Sequence, residues 1–468
     1  MNKRASTNRM EAARLDPALR PVLWVAILAS FVAFLDGAII NVALPAMTDD
    51  LGGGLALQQW VVDSYLLTLG ALILIAGSLS DGFGRIRILR LGLVLFGLAS
   101  LACALAPTGV VLIAARAVQG VGGALLVPSS LALIMSAYRG AARGHAIGLW
   151  TGWTGTSAIA GPLLGGLLVD VLNWRWIFAI NVLPIAVTLL ILGRLKGQPS
   201  AQSRPLDVVG AVLAAVGLGG TVFALIEQQR LGWSHPGVVG SLAVGVVSFA
   251  LFLWWENRTA HPMMPLRLFR IRNFGIGNIA TAFIYAALSL GMLVLVLFLQ
   301  QVAGFSATQA GLATTPVAIL MLLLSGAFGG LAGRFGPRIF MAVGPLVIGA
   351  GYLMMTAARI PVDFWTQLLP GLLVCGTGLA ITVAPLTSAI LSAVGPDESG
   401  IGSAINNAVS RIAGLIAVAF AGVILGAVLD GDGFRRVLVV VAILAIAGGL
   451  VSAWGIRNLP AEAGSVNE

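Results

Sequence analysis

Residues 26–45 read AILASFVAFLDGAIINVALP. A membrane-crossing helix needs about 20 predominantly apolar residues, and this run supplies them with one interruption, the carboxylate of Asp36. A charge at the centre of a span costs about 2.5 to 3.5 kcal/mol on insertion scales, so an acid kept there either works or is neutralised by a structural partner.

The rest of the chain repeats the pattern. Hydrophobic residues make up 58% of the 468 and charged residues 10%, against roughly 45 to 50% and 25% in soluble proteins. These proportions describe an all-α polytopic membrane protein. Sixty glycines are then packing surfaces that let helices approach closely. Cys103 and Cys375 lie in apolar runs, which suggests neither a disulfide framework nor a thiolate metal site, and no cofactor is implied. The net charge of +9 does not point to nucleic acid, because the basic residues follow the membrane. The basic N-terminal stretch has no small-residue cleavage site and the first apolar run is too long for a signal-peptide core, so residues 1–20 read as a cytoplasmic tail.

Apolar stretches fall near 21–44, 58–79, 89–107, 109–136, 144–169, 176–193, 207–226, 236–255, 273–299, 309–332, 339–358, 365–390, 402–428 and 436–456. Fourteen spans put both termini on one side. With that side cytoplasmic, 20 of the 27 Lys and Arg fall inside and five outside, and Arg116 and Arg411 lie within spans. The positive-inside rule therefore predicts a multi-pass protein of the cytoplasmic membrane with both termini inside.

The loop after the second span, GSLSDGFGRIR at 77–87, recurs after the tenth as GGLAGRFGPR at 329–338. Gly77, Leu79, Phe83 and Gly84 align with Gly329, Leu331, Phe335 and Gly336. Two six-helix repeats with two inserted spans explain the spacing, with an N-terminal bundle at 21–197, linkers and an inserted hairpin at 198–265, a C-terminal bundle at 266–458 and a tail at 459–468. Parallel six-helix halves are the architecture of major facilitator transporters, whose substrates bind near the midplane.

On particular motifs the chain resembles the fourteen-span drug:proton antiporter branch of the major facilitator superfamily. LDGAIINVALP at 35–45 is similar to that branch's LDxTIVNVALP, and Gly77, Leu79, Asp81, Gly84 and Arg85 match its GxLaDrxGrk loop, with Gly82 in place of the usual arginine. RAVQGVGGA at 116–124 matches RxxQGxGaa, and GPLLGG at 161–166 is similar to the GPxxGG antiporter signature, followed by NWRWIFAINVLP at 173–184. WVVDSYLLT at 60–68 resembles methylenomycin-resistance-type exporters. The resemblance implies proton-coupled efflux of drugs or antibiotics, lipophilic and in some cases cationic, by alternating access. It also implies that Asp81 latches the halves, with Gly333 at the matching place of the second copy.

In the GPLLGG span, Gly148, Gly152, Gly155 and Gly166 fall in one arc at about 100° per residue, with Gly161 and Gly165 opposite, so two faces are expected to be approached closely. Pro162 removes a backbone donor and predicts a kink. Gly161, Pro162, Gly165 and Gly166 join Gly77, Asp81, Gly84, Arg85 and Arg411 as conformational candidates.

Only Asp36 and Asp63 among the 18 acids lie clearly within spans. With Arg116 they fall at depths of roughly 13, 8 and 10 Å from one face. With two acids and one fixed cation, one acid pairs with Arg116 and the other takes a proton; which does which stays open. Asn41, Gln119, Trp153 and Asn407 are candidates for substrate contact, and the partners expected are a small drug-like molecule, protons and the lipid bilayer. A proton-coupled uptake symporter is the alternative, and a membrane-embedded enzyme a remote one, since no nucleophile triad or His-rich cluster stands in any loop.

Overall fold

The computed structural model describes residues 19–195, 206–395, 398–426 and 429–458. The expected tails, apart from residues 19 and 20, and the linker at 198–205 lie outside the described residues. Within them all regular structure is helical, and fourteen helical segments are long and apolar enough to cross a membrane. The first span runs beyond the apolar core expected for it: α1, Arg20–Leu51, begins with Pro21 in its first turn and continues past Pro45, whereas the third, eleventh and thirteenth end three residues short of the expected stretches.

α2 (Gly54–Phe83) and α3 (Arg85–Ala104) meet at a single residue, Gly84, whose φ of 95° lies in the left-handed region that favours glycine. The second copy of the loop repeats the device. α12 (Ala307–Phe335) and α13 (Pro337–Met355) meet at Gly336, with φ of 83°. The aligned Gly84 and Gly336 are therefore the same backbone turn, and Phe83 and Phe335 before them are both exposed.

α4 (Gly109–Ala137) starts on Thr108, whose hydroxyl accepts from the Val111 amide. The GPLLGG span is two helices, α5 (Gly140–Gly155) and α6 (Ser157–Val171), broken at Thr156. The break falls one to two turns before Pro162, where the missing amide and the ring's clash with the carbonyl four residues back weaken the ladder. A short α7 (Trp176–Ala179) leads into α8 (Val182–Gly193).

The inserted hairpin is α9 (Val208–Leu231) and α10 (Pro236–Glu256). Asp207 caps α9 through the Gly210 amide at 2.8 Å and takes the Trp255 indole N–H at 2.8 Å, tying the two helices together. At the other end of α9 the hairpin docks on α2: the Trp60 indole donates to Glu227 at 3.0 Å, Gln229 donates to Gln59 at 3.2 Å, and the Trp60 and Phe223 rings lie 6.1 Å apart.

The remaining helices are α11 (Arg272–Gln301), α14 (Leu369–Ser392) entered through a π-helical turn at Phe364–Leu368, α15 (Ser399–Ala419), α16 (Ala421–Leu425) and α17 (Gly431–Gly455). The chain divides into two compact units, Met1–Met263 with Leu299–Thr315, and Met264–Phe298 with Pro316–Glu468. The hairpin thus clusters with the first unit, and so does a stretch that the sequence reading put in the C-terminal bundle. In the second unit α13 packs on α14 and α17.

Candidate functional site

The first unit holds a buried polar cluster whose members come from four helices and the turn between α7 and α8. Arg116 on α4 places its Nη1 2.6 Å from Asp36 Oδ2 on α1, and the two side chains are 1% and 0% exposed. The same Nη1 donates to Gln119 Oε1 at 2.7 Å, while Nε donates to the Val61 carbonyl on α2 at 3.0 Å. The guanidinium lies 4.3 Å from the centre of the Tyr65 ring. Gln119 returns its Nε2 to Asp36 Oδ1 and to Ser100 Oγ on α3, both at 2.8 Å. Asn181, between α7 and α8, donates to Asp36 Oδ1 at 3.1 Å. Asp36 therefore accepts from three side chains, which offset the cost of holding a carboxylate away from water.

The RxxQGxGaa pattern explains how α4 comes close enough to do this. Gly120 meets α2 so tightly that a Cβ there would run into Thr68 Oγ1 and the Tyr65 carbonyl oxygen, and a Cβ at Gly122 would lie 2.7 Å from the Phe96 amide nitrogen on α3. Arg116, one turn before Gly120, and Gln119, next to it, are carried into the gap between α1, α2 and α3.

Asp63, on α2 between the two residues that Arg116 touches, is 0% exposed, and neither of its oxygens accepts a hydrogen bond from a described residue. Arg116 pairs with Asp36 and not with Asp63. Among the described residues no three His, Cys, Asp or Glu side chains come together to hold a metal ion.

The family model described as Major Facilitator Superfamily matches residues 26–418, with a second, overlapping match at 277–468. The chain belongs to the Major Facilitator Superfamily. It is 36% identical over 400 residues to multidrug resistance protein Stp of Mycobacterium tuberculosis, covering 85% of this chain and 74% of that one. It is 34% identical over 432 residues to the methylenomycin A resistance protein of Streptomyces coelicolor, covering 92% of this chain and 90% of that one. The fold is similar to an inward-open structure of the xylose transporter XylE from E. coli, with TM-score 0.66 at 15% identity over 94% of this chain and 97% of that chain. Family and fold make this facilitator a multi-pass transporter.

The other candidate residues are scattered. Gln119, expected as a substrate contact, is fully buried inside the ion-pair cluster. Asn41 is half-buried on α1; Trp153 on α5 is 49% exposed, its ring 5.8 Å from that of Trp24. In the second unit Asn407 is exposed and donates to the Ser403 carbonyl, while its neighbour Asn406 donates to Asn278 and Thr281; Arg411 is half-buried on α15. Gly77 lies in the last turns of α2 and Arg85 opens α3, whereas the Asp81 side chain lies outside the described residues.

Gly161 and Gly165 pack on α1, where added Cβ atoms would lie 2.6 Å from Ala38 Cβ and from Ile39 Cγ1. Gly166 meets the backbone of Ala307 and Thr308, and Asp170, one turn on, accepts from the Thr308 amide and Ser306 hydroxyl at 2.8 Å and the Ala307 amide at 3.1 Å. The expected close approach at Gly148, Gly152 and Gly155 is not found among the described residues, none of which stands within 4 Å of a Cβ at any of them. The break at Thr156 resets the helical phase, so residues on either side of it do not share one arc.

Asn181 and Ser100 were not anticipated. Asn181 carried a signal, an amide within the apolar stretch of NWRWIFAINVLP; a lone serine in a span carries none.

Proposed function

We propose that the protein exports lipophilic drug- or antibiotic-like compounds, cationic ones among them, across the cytoplasmic membrane in exchange for protons, with both termini inside and the two repeats alternating access. The names of its relatives support the drug class. Proton coupling is supported by one observation: two buried acids share one cation, so Asp36 is compensated by Arg116 while Asp63 has no hydrogen-bond donor among the described residues. A buried carboxylate without a partner is costly as an anion, and a proton removes that cost. In this reading Asp63 holds the proton in the state seen here. Arg116, which already touches α2 at Val61 and Tyr65, moves between the two acids as substrate arrives, and Asp36 and Asp63 exchange roles.

The test is efflux of a panel of lipophilic cations and antibiotics from cells making the protein, with and without a proton uncoupler. Export that collapses with the uncoupler, and is abolished by Asp63→Asn, is the expected result. Export indifferent to the uncoupler removes the antiport mechanism, and accumulation in place of exclusion makes the protein an uptake symporter.

A further inference from the structure

The Asn181 side chain is fully buried, and its two ends are treated unequally. Nδ2 donates to Asp36 Oδ1 at 3.1 Å and to Ser100 Oγ at 3.4 Å, whereas Oδ1, equally buried, accepts no hydrogen bond from a described residue. A buried amide oxygen without a donor is uncommon and calls for an explanation.

Consider a proton arriving at Asp36. Oδ2 is taken by the Arg116 ion pair, so the proton goes to Oδ1, and there it meets two N–H donors, from Gln119 and from Asn181. The new O–H needs an acceptor, so one amide must turn over. Gln119 is locked: its Oε1 accepts from Arg116 at 2.7 Å and its Nε2 serves both Asp36 and Ser100, so turning it would set an NH₂ group against a guanidinium. Turning Asn181 breaks nothing at Oδ1. A half-turn brings that oxygen to the place Nδ2 now holds, within reach of the Asp36 O–H and of the Ser100 hydroxyl.

We propose that Asn181 is an amide switch that reads the protonation of Asp36, donating to the carboxylate and, turned over, accepting from the carboxylic acid. The inference rests on the proton-coupled reading and deepens it. Asn181 acts through Asp36 and is a positioning residue. Neutralising Asp36 leaves Arg116 facing an uncharged group, which frees it to shift along α2 towards Asp63. The other charged and titratable groups beside Asp36 are Arg116 from α4, Tyr65 from α2 against that guanidinium, and Cys103 from α3 on Gln119; the turn between α7 and α8 faces it with Asn181, α6 meets α1 there through Gly161 and Gly165, and α5 meets α1 through Trp150, which donates to Ser30.

The switch is read by infrared difference spectroscopy of the full chain in liposomes across a pH series, with the Asp36 carboxylic acid band assigned by its loss in Asp36→Asn. Isotope-labelled asparagine gives the answer: an amide band that moves together with the Asp36 band, and is absent in Asn181→Leu, supports the switch, and an Asn181 band that stays still while Asp36 titrates refutes it. The two readings fail separately. A still amide beside a titrating Asp36 removes the switch and leaves coupling intact, whereas uncoupler-indifferent efflux removes coupling even if Asn181 follows Asp36.

Discussion

Arg116 and Asp36 form a 2.6 Å ion pair within which almost nothing is exposed to solvent. Breaking such a pair from one side leaves a buried charge uncompensated, at about 3 to 5 kcal/mol, whereas removing both partners is often nearly neutral. Arg116→Leu should therefore lower the melting temperature of the purified protein sharply, and the double variant Asp36→Leu/Arg116→Leu should recover most of the loss. A double variant no more stable than Arg116→Leu alone would show that the loss lies in packing on Tyr65 and not in the uncompensated charge.

Asp63→Asn should behave in the opposite way. No donor among the described residues is lost, so stability should stay within about 0.5 kcal/mol of the parent or rise, while proton-coupled transport disappears. Thermal unfolding and uncoupler-sensitive efflux measured on one preparation separate the two effects. A large fall in melting temperature would mean that Asp63 is held by a structural partner.

The glycines of the α5 and α6 span, with Gly311 on the facing α12, divide into two classes. A Cβ at Gly166 would lie 2.5 Å from Thr308 Cα, and one at Gly311 would strike the Pro162 carbonyl oxygen, so alanine at either should cost about 1 to 3 kcal/mol. Gly152→Ala meets open space and should be neutral or stabilise by up to about 1 kcal/mol through helix propensity. Melting temperatures of the three variants test the division, and equal losses at Gly152 and Gly166 would contradict it.

Asp170→Ala removes an acceptor that satisfies two amides at the start of α12, a loss of about 0.5 to 2 kcal/mol for a cap of this kind. Hydrogen exchange should quicken at Ala307 and Thr308 and stay unchanged at Gly84. Unchanged exchange at Ala307 and Thr308 would mean that the tight seating against Gly166, and not the carboxylate, protects these amides.

Span count, helical class and the pairing of Arg116 with an acid were legible because each follows from composition or from a charge that cannot be left alone in hydrocarbon. The choice of Asp36 over Asp63 was not. Depth along a span says which residues share a level, but the direction in which each helix turns its side chains depends on contacts such as Gly120 on Tyr65. The hydrogen bonds of Gln119 to Arg116, Asp36 and Ser100 were not legible for a related reason: sequence shows a polar residue inside a span but not the partners it faces. The arc drawn through Gly148, Gly152, Gly155 and Gly166 assumed one unbroken helix, and Pro162 gave warning of a disturbance without locating it at Thr156.

The docking of the hairpin on α2 bears on how that helix is solvated. Gln59, fully buried, faces Gln229, and the Trp60 indole faces Glu227, all on groups that would otherwise confront lipid chains with unmet hydrogen bonds. The same helix carries Asp63 three residues further on. The two additional spans therefore give these polar groups of α2, one turn from its buried acid, hydrogen-bond partners made of protein, which hydrocarbon could not supply.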